Sequence, residues 1–127
     1  GFVSTFAPAY AMGNAVVAVA GKNPLPALEL LQILQASEIP ASTINILTAS
    51  DPDAVAKILA EHKDVDALWY YGSREGSGMA KAASISNMKH TVTNDGRIID
   101  WFGAEGESQK FLRNATNIKN IWIPSGW

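Results

Sequence analysis

Residues 66–83, DALWYYGSREGSGMAKAA, run from an apolar, aromatic strand pattern through a glycine break into a small-residue helical pattern. A strand that ends at a glycine turn and opens a helix leaves backbone N–H groups and the positive end of the helix dipole pointing outward, an arrangement suited to an anion. Gly72, Ser73 and Gly76 occupy that turn. The same letters also have a plain packing reading, in which Gly72 ends the strand while Gly76 and Gly78 let the helix lie close to a sheet. Neither the dinucleotide fingerprint G-x-G-x-x-G nor a P-loop ending in Gly-Lys-Ser/Thr is present.

Working outward, strand and helix patterns alternate along the whole chain. Residues 2–12 have helical spacing and carry Pro8. NAVVAVA (14–20) is a continuous β-branched run, the pattern of a strand covered on both faces. Prolines then open a helix over 23–39, with Leu28, Leu31 and Leu34 as its apolar stripe. STINILTA (42–49) is a second strand. Asp51 caps a helix over 52–61, with Pro52 at its first position. After the 66–83 stretch, HTVT (90–93) predicts a fourth strand, 105–116 a helix, and IKNIWIP (118–124) a fifth strand. Strand starts recur every roughly 23 to 28 residues, the spacing of successive βα units joined in parallel. The expected fold is α/β: a doubly wound, mostly parallel sheet of about five strands with helices on both faces. Ligands of such sheets sit at the carboxyl ends of the strands, where GSREGSG falls.

The 127 residues, 47% apolar and 17% charged, are the size of one domain, residues 1–127, able to bury roughly two-thirds of its unfolded surface. A net charge of −2 gives no electrostatic reason to expect nucleic acid or an anionic membrane as partner. No apolar run is long enough to span a bilayer and the opening residues lack a signal-peptide pattern, so a cytoplasmic protein is expected. The absence of cysteine removes disulfides, thiolate metal sites and a cysteine nucleophile together. The chain opens at glycine in what reads as mid-helix, and it is read as a fragment of a longer one.

Other chemistry-bearing residues have simpler readings. His62 and His90 lie far apart without a second metal-type ligand at useful spacing, so no metal site is expected. Asp51, Asp53, Asp64 and Asp66 fall at helix starts and turns, where short acidic side chains hydrogen-bond backbone N–H groups. In GSREG the serine follows the first glycine directly instead of sitting at the centre of G-x-S-x-G. SNMK (86–89) satisfies S-x-x-K by letter, but at a helix end and without its partner motifs. Trp69, Trp101, Trp122 and Trp127 are many for this length. Most read as core, while Trp127 at the terminus reads as a contact residue.

Four segments in order resemble the coenzyme-binding part of the aldehyde dehydrogenase superfamily. APAYAMGNAVVAV (7–19) is similar to A-P-A-L-A-x-G-N-x-V-V-x-K, and PLPALELLQIL (24–34) to T-P-L-x-A-L-x-L-A-x-L-L. IPASTINILTA (39–49) is similar to L-P-x-G-V-V-N-V-V-T-G, and KDVDALWYYGSREGSG (63–78) to H-x-x-V-D-x-I-x-F-T-G-S-T-x-V-G. The resemblance covers about residues 3–95, and it implies an NAD-binding sheet that uses a G-S-x-x-x-G turn in place of G-x-G-x-x-G.

Carried over residue by residue, the resemblance removes function as well as adding it. Ser73, beside Gly72, matches the serine that contacts the pyrophosphate. The second family glycine falls at Ser77, flanked by Gly76 and Gly78. The lysine that holds the adenine ribose falls at Val19, a loss of about 1.5–3 kcal/mol for a charge-assisted hydrogen bond, or roughly ten- to a hundredfold in affinity. NAD binding is therefore expected to be weak or absent, at a degenerate site of Gly72, Ser73 and Gly76. The general-base glutamate falls near Asn94, whose amide cannot take up a proton at neutral pH. No residue of this chain is assigned a catalytic role. These losses, and the ending FLRNATNIKNIWIPSGW (111–127), resemble the truncated, cysteine-less C-terminal module of the two-module, family-sixteen aldehyde dehydrogenases.

Two function classes follow, with a small standalone α/β binding protein as a third. One is a non-catalytic module that assembles with a catalytic aldehyde dehydrogenase module and forms a homo-oligomer. The other is the NAD-binding part of an oxidoreductase whose chemistry lies elsewhere in a longer chain.

Overall fold

The computed structural model of the chain describes residues 1–40 and 42–118. In chain order the elements are α1 (Phe2–Ala11), β1 (Val16–Val19), α2 (Leu25–Gln35), β2 (Ile44–Leu47), α3 (Pro52–Glu61), β3 (Ala67–Tyr70), α4 (Arg74–Ser84), β4 (His90–Thr93) and α5 (Lys110–Asn114). A single 3₁₀ turn, Ile85–Asn87, follows α4.

The strands are parallel, as the βα spacing predicts. β1 pairs with β2 from Val16 opposite Ile44 to Val19 opposite Leu47, and β3 with β4 from Ala67 opposite His90 to Tyr70 opposite Thr93. The α/β expectation holds at that level. The four described strands, however, form two sheets of two instead of one continuous sheet. Each strand is only four residues long, and α3 packs against both β1 and β3, joining the two pairs by side chains where no ladder hydrogen bonds do. Of the fifth strand expected over 118–124, all but the first residue lies outside the described residues.

Strand β3 sets the layers. Leu68 and Tyr70 point to one face and pack with Ala56 and Ala60 of α3 and Ala80 of α4. Trp69 and Tyr71 point to the other, where each ring lies 6.2 Å from that of Phe111 on α5. Trp101 stacks on Phe111 and meets Tyr71 edge-on at 5.3 Å. Alternation along an extended chain requires this division, so β3 has helices on both sides. Strand β1 does not. NAVVAVA predicts burial on both faces, yet Val17 is 48% exposed and only Ala20 at its end is fully buried. β1 touches α1 and α3, and its pairing with β2 sets Val17 opposite Asn45 and Val19 opposite Leu47, itself 42% exposed.

Local rules account for both ends of α3. The Asp51 carboxylate accepts from the Asp53 and Ala54 amides at 3.1 Å, and Pro52 opens α3, as the sequence predicts. At the other end of α3, the Lys89 ammonium donates to the Leu59 and His62 carbonyls at 2.8 and 2.7 Å, and Asn87 donates to the Ala60 carbonyl at 3.0 Å. A cation at the negative end of a helix satisfies carbonyls that have no partner of their own. The leucine stripe of α2 is half-buried at Leu31 and Leu34 while Leu28 is 39% exposed; Ala27 is the buried residue. The helix expected over 105–116 shrinks to Lys110–Asn114. Gly106 lies hard against the Trp101 backbone, and turns through Gly103 and Gly106 replace the first half of that helix.

Replacing Lys89 by methionine should lower the unfolding free energy by about 1–3 kcal/mol, read from the midpoint of a urea melt, because two carbonyls lose a charged donor.

Candidate functional site

The turn singled out in the sequence lies at the carboxyl ends of β3 and β4. Ser73 is the N-cap of α4, its hydroxyl accepting from the Gly76 amide at 2.9 Å. Ser77 is fully buried, and its hydroxyl donates back to the Ser73 carbonyl at 2.9 Å. Helix α4 therefore forms with serine in the place of the second family glycine: one more methylene and hydroxyl fit because the oxygen finds a partner within the helix. Gly78 is exposed, with open space around it, so its lack of a side chain serves no contact among the described residues.

Tyr70, the last residue of β3, reaches under this turn. Its hydroxyl donates to Asp53 Oδ1 at 2.7 Å, tying the start of α4 to the start of α3. A Cβ on Gly72 would stand 2.5 Å from the phenol oxygen, and one on Gly76 would overlap it outright. Both glycines are thus required by the tyrosine, which gives substance to the packing reading of the motif. Burial, and then the neighbouring Asp53 carboxylate, push the Tyr70 pKa above its usual value, opposed by the Ser73 hydroxyl and amide beside the phenol oxygen. Burial alone raises that of Tyr71.

Asn94, at the position assigned to the general base, uses both ends of its amide to hold backbone. Its Oδ1 accepts from the Gly72 amide at 3.1 Å and its Nδ2 donates to the Arg97 carbonyl at 2.8 Å. The Arg97 amide returns a bond to the Asn94 carbonyl at 2.9 Å, closing a turn whose central residues, Asp95 and Gly96, both have positive φ (53° and 75°). That is the mirror-image class of turn, for which glycine is the favoured residue. Gly96 lies against the Arg74 amide, 2.8 Å from where its Cβ would be, so a side chain there would strike the first turn of α4. Lys81 at 2.5 Å, and then Thr93, hold the Asp95 carboxyl below the usual carboxylate range.

Beyond the turn an open cleft of about 750 Å³ is lined by Tyr71, Ser73, Arg74, Asn94, Arg97 and Lys110, among others. Glu105 pairs with Arg97 and, at 3.9 Å, with Lys110, so two of the three cations are already engaged. The other sequence candidates stay apart. His62 ends α3, where its Nδ1 accepts from the Asp64 amide at 3.2 Å, and His90 starts β4. Among the described residues no three His, Asp or Glu side chains come together as a metal site. Trp122 and Trp127 lie outside the described residues.

Residue by residue, the site is a poor fit for a dinucleotide. The Gly72 and Gly76 amides already have acceptors, Gly96 crowds the Arg74 amide, and Val19 supplies no donor at the end of β1. Tyr70 and Asp53 were missed as a pair in the sequence. The alternation of β3 was the available signal, since it places Tyr70 with Leu68 on the helix-covered face.

A sequence model of the Aldehyde dehydrogenase family matches residues 2–96. The chain belongs to the aldehyde dehydrogenase family. It is 33% identical over 107 residues to the NADP/NAD-dependent aldehyde dehydrogenase PuuC of Escherichia coli, covering 83% of this chain and 20% of that protein. It is 39% identical over 87 residues to the mitochondrial aldehyde dehydrogenase of Homo sapiens, covering 67% and 17%. With the 2-hydroxymuconic semialdehyde dehydrogenase of a Pseudomonas species the identity is 35% over 79 residues, covering 61% and 16%. The chain thus spans a fifth or less of the length of these aldehyde dehydrogenases. No solved structure matches. Aldehyde dehydrogenases generally use NAD or NADP, and the resemblance read from the four motifs is the one the family match bears out.

Asn94→Ala should cost about 1–3 kcal/mol, since it leaves a part-buried amide and a carbonyl without partners, whereas Asn94→Asp should lose only the Arg97 contact; equilibrium unfolding separates the two. Alkaline titration provides a second check. The folded Tyr70 and Tyr71 phenols hold their protons beyond the point where the unfolded chain releases them, so their contribution to stability is intact below about pH 10 and is lost as pH rises through their folded pKa values. Unfolding free energy measured across that range should fall with rising pH, and less steeply in Tyr70→Phe.

Proposed function

We propose that this chain is a non-catalytic module of the aldehyde dehydrogenase type, one domain of a longer protein, whose role is assembly with a catalytic aldehyde dehydrogenase module. The observation that carries this reading is the use made of Asn94. At the place where the family pattern puts a proton acceptor, an amide spends both its oxygen and its nitrogen holding two turns together. The chain has no cysteine, so it has no thiol to add to an aldehyde carbonyl, and hydride transfer in this family proceeds from that adduct. The branch we propose is the family-sixteen one, this chain being its truncated second module, and the two strand pairs are proposed to belong to a doubly wound sheet of about five strands.

The assembly reading draws on apolar surface. Val17, Leu47, Leu25 and Ile33 are 42–66% exposed on β1, β2 and α2, apolar side chains that a partner module would cover. Catalytic modules of the same family and further copies of this chain are the partners proposed; nucleic acid and membrane are not. A cytoplasmic location is part of this proposal; among the described residues no helix is long and apolar enough to cross a membrane.

A second reading keeps the chain as the NAD-binding part of a working aldehyde dehydrogenase, with Ser73 at the start of α4 in its favour. Calorimetric titration with NAD, together with an aldehyde oxidation assay, distinguishes the two. The module reading expects no heat below millimolar NAD and no aldehyde oxidation. Micromolar binding that disappears in Ser73→Ala would overturn it in favour of the second.

A further inference from the structure

We propose that the cleft at the carboxyl ends of β3 and β4 is a binding site for a small organic anion, a carboxylate or phosphate on an apolar body, held by Arg74, Arg97 and Lys110. The inference goes beyond the module reading and does not depend on it. The family pattern G-S-T has threonine where this chain has Arg74, and Arg97 and Lys110 lie beyond residues 2–96, the part that matches the family. The charge of the cleft is therefore this chain's own.

The cleft is open, with a volume of about 750 Å³, and its three cations come from separate elements. Arg74 is the first residue of α4, Arg97 closes the positive-φ turn, and Lys110 is the first residue of α5. Tyr71, Val92 and Ile99 add an apolar wall. Among the described residues Arg74 makes no salt bridge, whereas Asp95, the acidic residue of the lining, is held by Lys81 and Thr93. With ion-pair partners included, four cations (Arg74, Lys81, Arg97, Lys110) stand against two carboxylates (Asp95, Glu105), a local excess of two positive charges in a chain whose net charge is −2. A cleft of one sign concentrates ligands of the other, and a guanidinium matches carboxylate and phosphate with paired N–H groups.

Glu105 shows what these cations take. Its carboxylate accepts from Arg97 and stands 3.9 Å from the Lys110 ammonium, so one carboxylate already bridges two of the three. Glu105 is not itself part of the lining, and the cleft beside it stays open. The Lys110 contact is too long for a hydrogen bond, which leaves its donors for a ligand. An anion entering the cleft competes with Glu105 for Arg97 and Lys110 and meets no competitor at Arg74.

Titration of the chain with benzoate and with phenyl phosphate, followed in amide NMR spectra, tests this. Saturable shifts should gather at Ser73, Arg74, Gly96 and Arg97, and the tighter of the two probes identifies the head group. Benzyl alcohol, which has the ring without the charge, should leave those signals in place. Arg74→Gln should weaken binding about tenfold, and Glu105→Gln should strengthen it about three- to tenfold because its ion pairs no longer compete. No saturable shift with either anion, equal shifts with benzyl alcohol, or an affinity that neither variant changes overturns the proposal. The spectra also report folding. Arg74 is exposed and its replacement breaks no salt bridge among the described residues, so if Glu105→Gln does not fold, Arg74→Gln decides alone. Neither probe is a coenzyme or an aldehyde, so this result and that of the NAD titration stand or fall separately.

Discussion

Strand β3 has to bury large residues on both faces within four positions, and the rest of the molecule is arranged around that demand. On one side Leu68 and Tyr70 meet a surface of alanine, glycine and serine from α3 and α4, residues small enough for two helices to approach the strand closely. On the other side Trp69 and Tyr71 need bulk, and Phe111 and Trp101 provide it. Fully burying aromatic side chains is worth about 1.5–3 kcal/mol each, so this strand anchors both layers. The β1–β2 pair has no equivalent anchor, and its exposed valine and leucine follow from that.

The polar groups at the strand ends are committed in the same way. Ser73, Asn94 and Asp53 are the residue types a ligand site would use, yet each is paired with the protein's own backbone or side chains. A hydrogen-bonding group that is already paired offers a ligand only an exchange, with little net gain. The chemistry that distinguishes a binding site from a well-made turn therefore depends on which partners are free, and a motif's letters do not carry that information.

The legible parts of the sequence were those governed by local rules. Asp51 followed by Pro52 marks a helix start whatever surrounds it, and the repeated βα spacing yields parallel pairing. The four family motifs could be read because their order and spacing carry more information than any single residue. Tertiary context decided the rest. NAVVAVA has the composition of a covered strand, but whether a strand is covered depends on what packs over it. EGESQKFLRNAT has helical letters over its first half, and the close approach of Gly106 to Trp101 prevented the helix there. Asn94 was assigned by position alone; its two-ended grip on Gly72 and Arg97 is a contact between segments 22 and 3 residues apart and leaves no trace in spacing.

The match to the family stops at Gly96, the second central residue of the positive-φ turn. Beyond that turn the backbone doubles back, and residues 99–111 supply Ile99, Trp101 and Phe111 to the rear of β3. Two residues in an uncommon conformation thus act as a railway switch, diverting the track from onward travel into a closed siding.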